Sequence, residues 1–434
     1  MRLPTALLVA AFACVSAAGP DSLTPEQRRL NMDSFEQVWS TVRDKHWDPS
    51  LGGLNWQAVH DELRPAEANA TNMEEARAAM TKMLERLKQT HFAIVPADVY
   101  GEMKSGGKGG ESGAGGEGTP GIDLRVIDGH ALVTGVAPDS PAAAAGIERG
   151  WEIVDVDGKD VAKSLRVIER KLQASTLREF ELVQAVAERL RGEVGTTVKV
   201  EFLDGADRRV ERTLERAKPR GAVAHLGNLP PMHFWVEARK VRPDIGYLRF
   251  NTFFEPEALM ASVTRIMKEC AGCRGLVIDL RGNPGGIGGL ATGLAGWFID
   301  RQGTQLGTMN LRSGQIHFTV FARPETFQGA LAVLVDGCSA STAEIFAQGM
   351  KDLGRARIFG TRTAGAALPS MFERLPNGDG FQYAIANYIS QGGKALEGTG
   401  VTPDEEVALS RRALLDGKDP VLDRAVAWIA TDGK

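Results

Sequence analysis

The chain has 434 residues, 43% hydrophobic and 24% charged, with a formal net charge of -4. That length leaves room for two or three domains, and the composition is that of an ordinary globular chain. No basic excess points to nucleic acid as a partner; the apolar run near the start is too short to span a bilayer well, and no later stretch is long enough.

Met1-Arg2, the apolar run 3–15 and the small residues Ser16-Ala17-Ala18 fit a secretory signal peptide over 1–18. The expectation is an exported protein, periplasmic or secreted. Ala11-Phe12-Ala13-Cys14 also loosely fits a lipoprotein cleavage site, which makes a lipid anchor at Cys14 the lesser alternative. Of the other cysteines, Cys270 and Cys273 form a CxxC and Cys338 stands alone. No second ligand pair at zinc spacing accompanies them, so no metal is expected, and the CxxC reads as a local disulfide or two quiet thiols.

Residues 21–96 read as a helical domain. Phe35, Val38, Trp39 and Val42 share one helical stripe, and Asn55-Trp56 opens a second helix. Residues 71–87 supply a third, with Ala76, Met80, Met83, Leu84 and Leu87 inward. This helix runs into Thr90-His91, which places His91 where helix gives way to extended chain. Taken alone, such a histidine is structural or solvated. Residues 97–120 are dominated by Gly, Ser, Glu and Lys, cannot bury a core, and read as a linker.

Residues 121–217 carry a β-rich pattern: strands near 121–124, 130–136, 150–156 and 198–202, with Asp157-Gly158 as a tight turn. GID at 121–123, APDSPAAAAGIERGWEIVDVDG at 137–158 and VKVEFLD at 198–204 resemble a PDZ domain, lengthened by a helical section over 162–191. The resemblance implies a site for an extended peptide, its terminal carboxylate held by amides around Gly121, Ile122 and Asp123. The bland alternative is a PDZ-like unit that packs on its neighbour and binds nothing.

Residues 219–434 alternate strands and helices, as expected of an α/β core with helices on a mixed sheet. Within it, the apolar run 331–335 reads as a buried strand and Asp336-Gly337 as a turn. A helix with Ile345, Phe346 and Met350 on one face follows. A serine at such a junction has an accessible Oγ beside free backbone N–H groups, which are needs of an acyl-transfer nucleophile. The alternative is that Ser339 and Ser341 only cap the helix. The glycine-rich RGNPGGIGG at 281–289 matches neither a dinucleotide nor a Walker template. Gly285 and Gly286 are better suited to offer bare N–H groups to a reacting carbonyl, or simply to make a tight turn.

Five pieces, YLRFNTF at 247–253, LVIDLRGNPGG at 276–286, VLVDGCSASTAEIFAQGMKD at 333–352, ARIFGTRTAGA at 356–366 and LEGTGVTPDEEV at 396–407, jointly resemble the C-terminal processing (tail-specific) peptidases and their tricorn-core relatives. The resemblance implies an α/β multidomain protein: an N-terminal helical unit, a PDZ-like β-rich domain and an α/β peptidase core with a mixed sheet of the ClpP/crotonase-like kind. It implies Ser341 as nucleophile, with Gly285 or Gly286 and Thr342 N–H groups as oxyanion donors. One departure matters. Where many members carry a lysine base in Thr-x-Gly-Lys, this chain has Thr363-Ala364-Gly365-Ala366, and a methyl group takes no proton. Lys351 and Lys394 are unconvincing substitutes. The tricorn-like branch is similar in using a Ser-His pair and a later glutamate, places filled here by Thr90, His91 and Glu397. An imidazole titrates near ~6.5 and accepts a hydroxyl proton at neutral pH, while Thr90 and Glu397 would orient the ring.

The resulting expectation is an exported serine endopeptidase that cleaves extended or C-terminal peptide segments of peptides or unfolded proteins. It needs no cofactor and no nucleic acid, and an oligomer is allowed. The alternative is a catalytically inactive peptide-binding scaffold that keeps the fold.

Overall fold

Side-chain caps begin the three N-terminal helices. A computed structural model describes residues 23–97, 118–172, 175–224 and 232–431; the expected signal peptide, Cys14 and most of the glycine-rich stretch lie outside them. Helix α1 (Pro25–Lys45) starts on Thr24, whose side chain and that of Gln27 form a reciprocal capping box, with proline at the first turn. Asn55 and Asn72 cap α2 (Trp56–Ala68) and α3 (Met73–Glu85) in the same sense. Their shared core of Phe35, Val38, Trp56, Met80 and Met83 also takes in Leu368, Phe381 and Tyr383 from far along the chain. Strand β1 (Ala93–Val95), just after His91, completes the seal by pairing with a strand of that distant segment. The helical unit is thus welded to the core, with side chains such as Phe381 each contributing about 1.5–3 kcal/mol of burial.

The PDZ segment contains β2 (Ile122–Ile127), β3 (His130–Val136), α4 (Pro141–Ala144), β4 (Glu152–Val156), β5 (Lys159–Asp160), α5 (Val161–Leu172), α6 (Arg178–Leu190), β6 (Thr197–Leu203) and β7 (Arg209–Glu215). Its sheet runs β2-β3-β4-β6-β7, so β2 is an edge strand. The long helical section expected from the sequence is two helices, α5 and α6, and β7 is a strand that the sequence reading did not name. Leu124, Val133, Ile153, Phe180, Val198 and Phe202 form the core, which runs on without a break into Cys338, Ala340, Ala364 and Ala366.

Next come β8 (Ala222–Ala224), β9 (Met232–Phe234), β10 (Val236–Arg242), β11 (Ile245–Phe250), α7 (Pro256–Glu269), β12 (Gly275–Asp279), α8 (Gly288–Ala295), β13 (Gln305–Leu311), β14 (Gly314–Thr319), β15 (Ala330–Val335), α9 (Thr342–Asp352) and β16 (Arg357–Gly360). The chain ends with β17 (Ser370–Arg374), β18 (Gly380–Ala384), β19 (Ala386–Ser390), β20 (Glu405–Glu406), α10 (Arg411–Leu415) and α11 (Pro420–Ala430). The central sheet is mixed: β10 runs antiparallel to β11, and β11, β12, β15, β16 and β20 are parallel. Both faces are covered, as parallel strands require. Leu276 and Ile278 pack toward α7, α8 and α9, while the intervening Val277 packs toward α11. Cys270 and Cys273 are joined as a disulfide, and Cys338 is free and buried. The loops leaving the C-terminal ends of β12 and β15 lie side by side, the place where α/β sheets present chemistry.

Candidate active site

The turn after β15 separates two serines that look alike in sequence. Ser339 is fully buried; its Oγ donates to the Leu280 carbonyl at 2.8 Å and accepts the Asp336 N–H at 3.0 Å. It ties the β12 and β15 loops together. Ser341 instead stands on backbone with φ +54° and ψ -119°, just before α9. Such a conformation costs a non-glycine residue about 1–3 kcal/mol and persists only where its surroundings enforce it. Here the Ser341 N–H donates both to the Ala366 carbonyl at 2.8 Å and to Glu344 Oε2 at 3.0 Å.

Glu344 is the organiser of this corner, and the sequence reading passed over it. Its buried carboxylate also accepts the Gly365 N–H (2.8 Å), the Ala366 N–H (2.9 Å) and the Thr363 hydroxyl (2.5 Å). Burial outweighs these donors and pushes its pKa up to about 7. The signal was present: Ser341 followed three residues later by Glu344 is a capping-box spacing.

Gly285 approaches the serine so closely that a Cβ there would lie 2.7 Å from both Ser341 Cβ and the Thr342 nitrogen, at φ +97°. Its N–H is engaged, donating to Asn283 Oδ1 at 2.9 Å, while Asn283 Nδ2 donates to the Phe250 carbonyl. The Gly285 carbonyl accepts from Thr252 Oγ1 and the Phe253 N–H; the Gly286 carbonyl accepts from Thr342 Oγ1 at 2.7 Å. Among the described residues, this leaves the Gly286 and Thr342 N–H groups without a protein acceptor. Gly285 and Gly286 therefore differ in what they can do: the first supplies clearance and the second a donor.

His91 also has positive φ, +61°. Glu397 accepts the Thr90 N–H on Oε1 at 2.7 Å and the Thr90 hydroxyl on Oε2 at 2.9 Å. His91 Nδ1 lies 2.6 Å from Thr90 Oγ1. With Glu397 ionised and accepting the Thr90 hydroxyl, Nδ1 donates to Oγ1 and the lone pair is assigned to Nε2. Burial drives the His91 pKa down to about 4, so the ring is neutral at physiological pH. Glu397 is pushed up by burial against the donors from Thr90 and Ala367. His91, Ser341, Thr342, Gly285 and Gly286 line one cavity of about 720 Å³, with the PDZ helix α6 contributing Phe180 and Gln184 to its wall. No hydrogen bond joins His91 to Ser341 across it.

Comparison with known proteins places these pieces. Residues 244–407 match Peptidase family S41, residues 29–85 the Tricorn protease C1 domain and residues 132–185 the PDZ domain. A carboxyl-terminal-processing protease of a Picosynechococcus species is 28% identical over 379 residues, which is 86% of this chain and 83% of that protein. The chain is a serine-type peptidase, similar to the C-terminal processing proteases and carrying a PDZ domain. Its fold is similar to that of a photosystem II D1 C-terminal processing protease (TM-score 0.59, 23% identity, 92% of this chain and 99% of that one). It is likewise similar to mature CPAF (TM-score 0.64, 14% identity, 94% of this chain and 99% of that one).

In this peptidase the position of the missing lysine is plain. Ala366 is fully buried in the core shared with the PDZ segment. Lys351 Nζ is taken by Asp404 at 2.9 Å and the Thr402 carbonyl at 2.7 Å, and neither it nor Lys394 lines the cavity. Gly121, Ile122 and Asp123 lie outside the cavity, at the start of edge strand β2. The Gly121 N–H donates to Thr119 Oγ1 at 3.2 Å, and Asp123 faces Arg220 and Arg249. Among the described residues, no group of three or more His, Cys, Asp or Glu is placed to hold a metal, and no helix is long and apolar enough to cross a membrane.

Proposed function

We propose that this peptidase is an exported endopeptidase that cleaves extended or C-terminal peptide segments, with Ser341 as nucleophile and His91 as general base. The observation that carries the reading is the hydrogen-bond chain from Glu397 through Thr90 to His91. It assigns the proton to Nδ1 and the lone pair to Nε2 of a ring that lines the same cavity as Ser341. Nε2 takes the Oγ proton as Ser341 attacks the scissile carbonyl, and the Gly286 and Thr342 N–H groups hold the resulting oxyanion. The imidazolium then returns the proton to the leaving amine, and water, activated by the same nitrogen, releases the acyl group. Thr90 and Glu397 steady the cation, and Gly285 gives the carbonyl room to approach. No metal or organic cofactor takes part, and the free edge of β2 at Gly121, Ile122 and Asp123 receives the peptide. The signal peptide over 1–18 directs the chain out of the cytoplasm.

An inactive peptide-binding scaffold is favoured by one observation, the lack of a hydrogen bond between His91 and Ser341; catalytic contacts of this kind commonly tighten only with substrate. Labelling with a serine-directed fluorophosphonate separates the two. Wild type should label and cleave unfolded polypeptide, Ser341→Ala should do neither, and His91→Ala should label far more slowly. Labelling of the Ser341→Ala protein would assign the nucleophile elsewhere. A wild type that neither labels nor cleaves would be the scaffold.

A further inference from the structure

Two catalytic loops meet at Asp336, and a PDZ side chain holds it. Asp336 Oδ1 accepts the Gly282 N–H at 2.9 Å and the Cys338 N–H at 3.0 Å, joining the loop that carries Gly286 to the loop that carries Ser341. Its other oxygen, Oδ2, receives Arg125 Nε from strand β2 at 2.6 Å, and each side chain is only 11% exposed. Arg125 Nη1 donates to the Leu124 carbonyl, which fixes the guanidinium against its own strand.

The close packing is specific to glycine. A Cβ on Gly282, at φ +73°, would sit 2.3 Å from Arg125 Nη2. A Cβ on Gly337, in the other loop, would sit 2.2 Å from Glu179 Oε2 of helix α6. Each catalytic loop thus has a glycine where one PDZ side chain presses on it. Any small shift of Asp336 moves the oxyanion donor of one loop relative to the nucleophile of the other.

We propose that Arg125 is a positioning residue for the hydrolysis: through Asp336 it sets the distance between the Gly286 N–H and Ser341. This rests on the assignment of Ser341 and Gly286 given above. A displacement of about 1 Å in such a pair costs about 10²-fold in rate. Arg125→Met should therefore lower kcat about 100-fold with KM within about 3-fold of wild type, because the loss falls on the transition state. The fluorophosphonate labelling rate of Ser341 should fall with kcat. Arg125→Lys, which keeps the charge, should recover about tenfold of the loss.

Arg125→Met leaves a buried carboxylate without its counter-ion and threatens folding. The double variant Arg125→Met/Asp336→Asn removes that charge while its amide oxygen still accepts both loop N–H groups. Its melting temperature should return toward wild type while kcat stays at least about 10-fold low. Full recovery of kcat together with stability would reduce Arg125 to a counter-ion and overturn the proposal, as would wild-type labelling of Ser341 in Arg125→Met. Labelling of a residue other than Ser341 in wild type would instead overturn the nucleophile assignment.

Discussion

Ser341 and His91 both occupy left-handed backbone, φ +54° and +61°, yet opposite means hold them there. Ser341 is fixed by its own neighbourhood: a buried strand behind it, a helix ahead, and Glu344 three residues on gripping its N–H. His91 has no such local frame. It is fixed from the far side of the molecule, by a Glu397 carboxylate 307 positions from Thr90 and by β1 pairing with β18. The proposed nucleophile is held first by the turn that carries it, with Ala366 and the β12 loop closing round it, whereas the proposed base depends on how two distant segments dock. Changes near Ser341 should disturb stability and chemistry together; changes around His91 should spare the fold and remove the chemistry.

The largest expected effect is at the base itself. His91→Ala should lower kcat by about 10⁴-fold, the upper end of what a positioned acid–base group contributes, with fluorophosphonate labelling as the check. Gly285→Ala comes next, at about 10³-fold. Its methyl group collides with Ser341 and the Thr342 amide on backbone that alanine resists, disturbing an oxyanion donor. If that variant kept full activity, the arrangement of the two loops would be misread. Glu397→Gln should cost about 10²-fold in kcat, because Glu397 steadies the ring through Thr90, and should lower the melting temperature a little, since one amide oxygen replaces two acceptors; unchanged kcat would contradict the contrast.

Smaller effects follow from pH. A ring with a pKa of about 4 stays neutral down to mildly acidic conditions, so kcat/KM should hold level from pH 7 to about pH 5 and fall only near 4. An acid limb near 6.5 would mean that His91 is not buried when it acts. Glu344 bears on stability instead. Folded, it keeps its proton up to about pH 7; unfolded, only to about 4.5. Between those values the native state binds more protons, so the contribution to stability is full below 4.5 and is lost as pH rises through 7, about 3 kcal/mol in all. Melting temperatures measured across that window should show this slope, and Glu344→Gln should flatten it.

Much of this architecture could be read before folding. Helical stripes in 21–96, the PDZ-like turns and the apolar strand before Ser341 are local patterns, and residues 3.6 or 2 apart report them directly. Ser341, His91, Thr90 and Glu397 were nameable because each sits in a short motif, and the fold brings all four to one region. Strands β13 and β14 went unread, β14 being largely exposed with little apolar alternation, while short strands were expected around Phe381–Tyr388, where β18 and part of β19 lie. Gly285 and Gly286 are indistinguishable as letters; only Asn283, reaching back to the Gly285 N–H, separates them. Nothing local marks Arg125, because its partner Asp336 lies 211 positions away.

Sequence pattern by itself determined the main helices and the buried strands and which side chains could react, because those depend on near neighbours and on intrinsic chemistry. Only the tertiary structure decided which N–H groups stay unpaired, that Thr90 and Glu397 meet beside His91, and that a PDZ guanidinium pairs with the carboxylate joining the β12 and β15 loops. Hydrogen-bond occupancy and desolvation are set by atoms hundreds of residues apart in the chain, and no local reading can count them.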